Sequence, residues 1–245
     1  MTYINIEVRV PQKVADVIRE GKISVKDLSN LVANYYSQLF SQTGVIDTQP
    51  ADDGATRTQE RWIPHFNQQG QIMIPAPIVY RIGQNGTPEL VESVRGDFRH
   101  SRLVTSTREK YHPDTLGAEI TQNYGSTIIQ PTERRVFIPI YQGTPLNVVL
   151  KAEEGVAYLR TKFDTNDTAN KIGETLAALS GESIDDIYVW TPDFAGRENY
   201  RERAAGFSLP VEGFRVNGNL KIGDDYGRSR GVSVKSAKPT RKNRN

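Results

Sequence analysis

Residues 102–112 read RLVTSTREKYH, and the class assigned to this run and its neighbours decides the fold. QIMIPAPIVYRIG (71–83) precedes it, and GSTIIQ (125–130), RRVFIPIYQG (134–143), LNVVLK (146–151) and GVAYLRTKF (155–163) follow. Short apolar runs broken by turn residues at this spacing predict strands of a mainly antiparallel sheet or partial barrel. Pro75, Pro77 and Pro139 lie inside the runs, which assigns those strands to edges or bulges, where a missing N–H is tolerated. One helix interrupts the β pattern: Asp167 or Thr168 can start it, Ile172, Leu176 and Leu179 give it an apolar side, and Gly181 stops it. IDDIYVW (184–190) reads as a further strand, and 193–227 as a short charged helix mixed with Gly-Phe turns. Phe207 and Phe214 of those turns are expected to plug a core or a subunit contact.

Outward from this body, residues 41–60 are polar, contain Gly44, Pro50 and Gly54, and follow neither the strand nor the helix period. They read as a linker or long surface loop. The chain therefore divides into a strand-helix-helix unit (1–40), a connector (41–60), a mainly β body (61–225) with one or two helices, and a flexible basic tail (226–245). The fold class is α+β.

The first unit is sharply patterned. Ile4, Ile6, Val8 and Val10 alternate with Tyr3, Asn5, Glu7 and Arg9, the period-2 signature of a strand with one apolar face, and Pro11 ends it. Val14, Val17 and Ile18 mark a short helix finishing at Gly21. Ser24, with Asp27 three positions on, caps a second helix striped by Leu28, Leu31, Val32, Tyr35, Tyr36 and Leu39. This order resembles the ribbon-helix-helix family of DNA-binding proteins, over about 40 residues. The resemblance implies that paired strands enter the major groove with Tyr3, Asn5, Glu7 and Arg9 toward it, and that Ser24 and Lys26 lie near the phosphate backbone. Asn5 and Arg9 suit base edges and Glu7 suits them poorly. The alternative is an edge strand and helical hairpin packed on the larger body.

Charge carries the second lead. The chain has 31 Lys and Arg against 29 Asp and Glu, a formal +2. Residues 226–245 hold seven of those cations, Arg228, Arg230, Lys235, Lys238, Arg241, Lys242 and Arg244, and no carboxylate, leaving 24 cations against 29 carboxylates, or −5, elsewhere. An acidic body with a basic end is the mark of an interaction tail. Seven phosphate contacts would give a log K against log salt slope of roughly −6, at about −0.9 each. A solubilising terminus, or one lying against an acidic neighbouring subunit, is the competing reading.

Chemistry is weakly signalled. No Cys occurs, which removes disulfides, thiol nucleophiles and thiolate metal sites together. Phosphate-binding glycine loops and the nucleophile elbow are absent from the sequence. His65 sits among bulky residues and reads as packed. Asp97, His100, His112 and Asp114 could offer metal ligands but follow no recognised spacing. Arg95, Arg99, Arg102, Arg108 and Lys110, interleaved with Phe98 and Tyr111, could grip a single strand by neutralisation and stacking, or form a solvated hairpin laced with ion pairs. Asp164 and Asp167 lack the full calcium-loop spacing.

The sequence thus predicts a non-enzymatic nucleic-acid-binding protein of phage or plasmid type. DNA is favoured over RNA, and no metal or cofactor is expected. Its contacts are the seven tail cations with Asn5, Arg9, Lys26, Arg99 and Arg102. The alternative is a phage virion subunit of head, neck or tail that assembles through its body, and a distant third is a metal-dependent enzyme using His100 and His112. Neither a signal peptide nor an apolar run long enough to cross a bilayer is read, so a cytoplasmic or virion-internal homo-oligomer is expected.

Overall fold

The computed structural model describes residues 44–46, 51–112, 117–122, 134–192 and 201–234. The strand-helix-helix unit, with Asn5, Arg9 and Lys26, lies outside them, as do the run 125–130, Asp114 and residues 235–245. The architecture is α+β. Among the described residues seven strands form one mixed sheet: β3 (Arg102–His112), β4 (Gly117–Gln122), β5 (Arg134–Phe137), β6 (Gln142–Pro145), β7 (Ile187–Trp190), β8 (Arg201–Ser208) and β9 (Phe214–Leu220). Their order is β5-β4-β3-β8-β9-β7-β6, antiparallel except for the parallel β7–β9 pair.

That order forces curvature. β5 and β6 are the two opposite edges, yet only residues 138–141 connect them. Five extended Cα steps cover at most about 18 Å, whereas six flat strand spacings of about 4.8 Å need roughly 29 Å. The sheet therefore coils until its edges approach, as the expected partial barrel would.

The body holds more helix than the one or two expected. Among the described residues there are six: α1 (Gln59–Gln68), α2 (Ala76–Asn85), α3 (Pro88–His100), α4 (Leu146–Val149), α5 (Glu153–Phe163) and α6 (Ala169–Ser180). Three runs read as strands are helical, wholly or in part. In 71–83 only β2 (Gln71–Met73) is extended, and the prolines that argued for an edge strand instead open α2. A proline's missing N–H is harmless in a helix's first turn, and Ile78 and Ile82 recur at helical spacing on the buried side. LNVVLK supplies α4, and GVAYLRTKF supplies α5, with Tyr158, Leu159, Lys162 and Phe163 on its buried face. The stretch before β3, read as a possible hairpin, is α3, capped by the Thr87 hydroxyl, which accepts from Leu90 N. Conversely, the charged helix expected after Pro192 is strand β8 over 201–208, where it gains ladder partners on both sides.

Other expectations hold. α6 starts at Thr168, whose hydroxyl accepts from Lys171 N, and ends at Gly181 in the left-handed region, φ 81°. Phe207 and Phe214 are buried and stacked, 6.0 Å between centroids, with Phe98 against both. These rings belong to the main core, formed where α2, α3, α5 and α6 bring Val79, Phe98, Phe163 and Leu176 against the sheet. A smaller cluster of Trp62, Ile63 and Phe66 from α1 with Met73, Val104, Ala204 and Leu220 covers another part of it.

The connector and the tail are not separate from the body. β1 (Gly44–Ile46) and β2 flank β10 (Gly231–Val234) in a three-stranded antiparallel sheet. Arg57 and Gly227 exchange both backbone hydrogen bonds. The small sheet is sewn to β3 where β3 slips register against β8: Val104 N donates to Arg228 O, Ile74 N to Arg230 O, and Ser106 N to Ile74 O. Residues 226–234 therefore fold, because Val232 enters the core and the charge of Arg230 is neutralised internally. Among the described residues no helix is long and apolar enough to cross a membrane.

Candidate functional site

Two centres of buried charge stand out, and α5 builds the first. Tyr158 and Lys162 are four residues apart, so one helical turn places them on the same face, toward β3. There Glu109, which alternation directs inward with Tyr111, is sealed from solvent together with both. Lys162 Nζ donates to Glu109 Oε1 at 2.8 Å and to the Tyr158 hydroxyl at 3.1 Å. The Tyr158 hydroxyl lies 2.9 Å from Glu109 Oε1 and 3.1 Å from Oε2. Gly218 of β9 makes the room: a Cβ there would land on the Glu109 carboxylate.

α3 and the β10 approach build the second. Arg230 Nε donates to Asp97 Oδ2 at 2.6 Å, and its Nη2 to the Ser93 carbonyl and hydroxyl at 3.0 and 2.9 Å. Arg228 donates to the Gly54 carbonyl at 3.1 Å and sits 3.5 Å from Asp97 Oδ1. Asp97 and Arg230 are buried and Arg228 is largely so.

These positions correct two of the expected nucleic-acid contacts. Arg230 is inside the protein and Arg228 is committed to Gly54 and Asp97, because a buried guanidinium without a carboxylate would be prohibitive. The basic tail is therefore shorter than the sequence suggested. Arg99 pairs with Glu92 at 2.6 Å and Arg102 with Asp225 at 2.8 Å, both partly exposed. Arg95 donates to the Leu179 and Ala178 carbonyls at the end of α6, Arg108 meets Gln59 and Glu202, and Phe98 and Tyr111 are in the core. The strip of cations and aromatics is thus a set of internal ties, closer to the ion-paired alternative, though on a helix and a strand.

Of the histidines and acids read for metal, those among the described residues do not converge. His100 binds its own helix through Gly96 O, while Asp97 is taken by Arg230. The side chain of His112, like Asp114, lies outside the described residues. His65 packs edge-on against Trp62 and Phe66, as expected, 3.3 Å from Asp52. Asp164 is the left-handed cap of α5, and Asp167 accepts from the Tyr80 hydroxyl at 2.8 Å and Gln84 at 2.6 Å. Among the described residues no group of three His, Asp or Glu could hold a metal ion.

Local environments shift some groups. Burial, followed by hydrogen bonding to and the charge of Asp167, pushes the Tyr80 hydroxyl above the ordinary tyrosine range against the opposing bond to Thr175. Burial and then the charge of Glu154 raise Tyr141. The guanidinium of Arg99, then that of Arg95, holds Glu92 below the usual carboxylate range.

The Glu109–Tyr158–Lys162 cluster escaped sequence reading. Its signal was the Tyr-x-x-x-Lys spacing, meaningful only on a helix, in a run classed as a strand. Compared with protein-family models, with curated proteins and with solved structures, the chain matches none.

Proposed function

We propose that the protein is a non-enzymatic nucleic-acid-binding protein whose phosphate contacts come from the segment that follows β10. The supporting observation is a partition of charge at Val234. Before it, Arg99, Arg102, Arg228 and Arg230 are each matched by a carboxylate of the body. After it come Lys235, Lys238, Arg241, Lys242 and Arg244 with no carboxylate among them, while residues 1–234 carry 26 cations against 29 carboxylates. A polyanion is the partner that such a segment attracts and such a body repels. Asn5, Arg9 and Lys26 supply secondary contacts in this reading, with DNA as the preferred polymer and the cytoplasm or a virion as the setting.

The test is fluorescence anisotropy with duplex DNA, single-stranded DNA and RNA across a salt series, comparing the full chain with one ending at Val234. A cut at Val234 keeps β10, whereas one at Tyr226 would remove a core strand. The full chain should bind with a log–log salt slope of about −4 to −5, five contacts at about −0.9 each, and the truncated chain should lose most of it. Equal affinity and slope for the two chains would refute the proposal.

A second reading, an assembly subunit, has its own observation. Phe137, Ile140 and Val148 are about half exposed within twelve residues of chain at the join between the sheet's two edges. Exposed apolar groups beside open edge strands suit packing against another copy. Sedimentation as rings or larger particles, lost on replacing Phe137 and Ile140 by Asp and Lys, would favour it.

A further inference from the structure

We infer that Lys162 and Glu109 are the precursors of an intramolecular isopeptide crosslink, formed inside the folded protein between α5 and β3. The inference does not rest on the nucleic-acid reading. Both side chains are completely buried, so no external substrate reaches the Lys162 amine, and the carboxyl it meets among the described residues is that of Glu109, whose Oε1 stands 2.8 Å from Nζ. Holding nucleophile and electrophile in fixed contact, without competing water, is the arrangement that turns a slow bimolecular condensation into a feasible unimolecular one.

The ionic form fits the site poorly. An ammonium has three N–H groups, and among the described residues Lys162 finds two acceptors, Glu109 and Tyr158. Charges removed from water and incompletely hydrogen-bonded are costly. The reaction opens with the proton passing from Lys162 to Glu109. That transfer leaves a neutral amine beside a carboxylic acid. The nitrogen lone pair then attacks Glu109 Cδ, the Nζ–Cδ bond forms, the Cδ–OH bond breaks, and the hydroxyl leaves as water with a proton from the nitrogen. Nothing is oxidised or reduced, and no co-reactant is needed. The Tyr158 hydroxyl, within hydrogen-bond distance of both Glu109 oxygens and of Nζ, is placed to donate to the oxyanion and to relay the proton. The product amide is neutral, and Tyr158 can serve its carbonyl. Gly218 keeps clear of the carboxyl, which a Cβ at that position would strike.

The intact mass of the purified full chain decides the matter. It should fall one water molecule short of the mass calculated from the sequence, allowing for Met1 removal, and a protease digest should yield the peptide containing Glu109 joined to the one containing Lys162. Tyr158→Phe should leave a measurable uncrosslinked fraction that diminishes with incubation, and Lys162→Met should show the full calculated mass. Because the digest of the unmodified protein needs no variant, a misfolding substitution does not spoil the test. A folded full chain at its calculated mass, with Lys162 freely acetylated after denaturation, would overturn the inference and leave an ordinary buried ion pair.

Discussion

The two buried ionic centres solve the same problem with different materials. At Asp97 the cation is a guanidinium, whose several donors are spread over the carboxylate, the Ser93 carbonyl and the Ser93 hydroxyl. At Glu109 the cation is an ammonium whose polar company, among the described residues, is one carboxylate and one phenol. A planar fork can be satisfied by fixed neighbours on two sides, whereas a point charge on a flexible stem is better solvated by water than by such a shell. The first centre therefore reads as a fastener, holding the approach to β10 onto α3. The second reads as a place where charge is an unstable solution and reaction an available exit.

Removing one partner from each centre tests that contrast. Asp97→Ala should have the largest effect. It strands Arg230, which cannot shed its proton, and loosens Arg228 as well, so we expect a loss of about 3–5 kcal/mol in urea denaturation, with early fraying of β1 and β10 in hydrogen exchange. A loss below about 1 kcal/mol would mean that Arg230 swings out to water. Lys162→Met should cost less, about 2–3 kcal/mol, since it removes the link between α5 and β3, and an intrachain crosslink contributes about that much by limiting the unfolded chain. Adding Glu109→Leu should restore little of that loss, because neither variant can form the link. Recovery of most of the stability in the double variant would mean that the buried charges, and no covalent link, set the cost of losing Lys162.

How far the sequence could be read follows from the same residues. The run RLVTSTREKYH among turn-bounded neighbours and the capped, glycine-terminated stretch 168–181 are local signals, and β3 and α6 form where they point. GVAYLRTKF is apolar enough for either element, and only its burial against the sheet decides for helix. The prolines of 71–83 were weighed as ladder-breakers in a strand when they were helix openers. Asp97 and Arg230 are 133 residues apart, and nothing at either position announces the other. A run of cations looks the same on paper whether it stays in solvent or threads through a core. Five of the seven tail cations are untouched by this correction, and two changed meaning entirely.

The smallest effect tests the exposed side of the comparison. Glu92 receives Arg99 at 2.6 Å and Arg95 at 3.2 Å, and these cations hold its carboxyl below the usual range. A carboxyl whose value falls on folding stabilises the folded state above its unfolded-state value, and that contribution disappears as pH drops through the lowered one. Glu92→Gln should therefore lower Tm slightly at neutral pH, with the difference from the parent closing in acid and shrinking in high salt, because water and ions screen an exposed pair. The Asp97 centre is shielded from both, so the effect of Asp97→Ala should persist at salt concentrations that erase the Glu92 difference. Equal salt sensitivity at the two sites would show that water enters around Arg230, and the fastener would then be no drier than the surface.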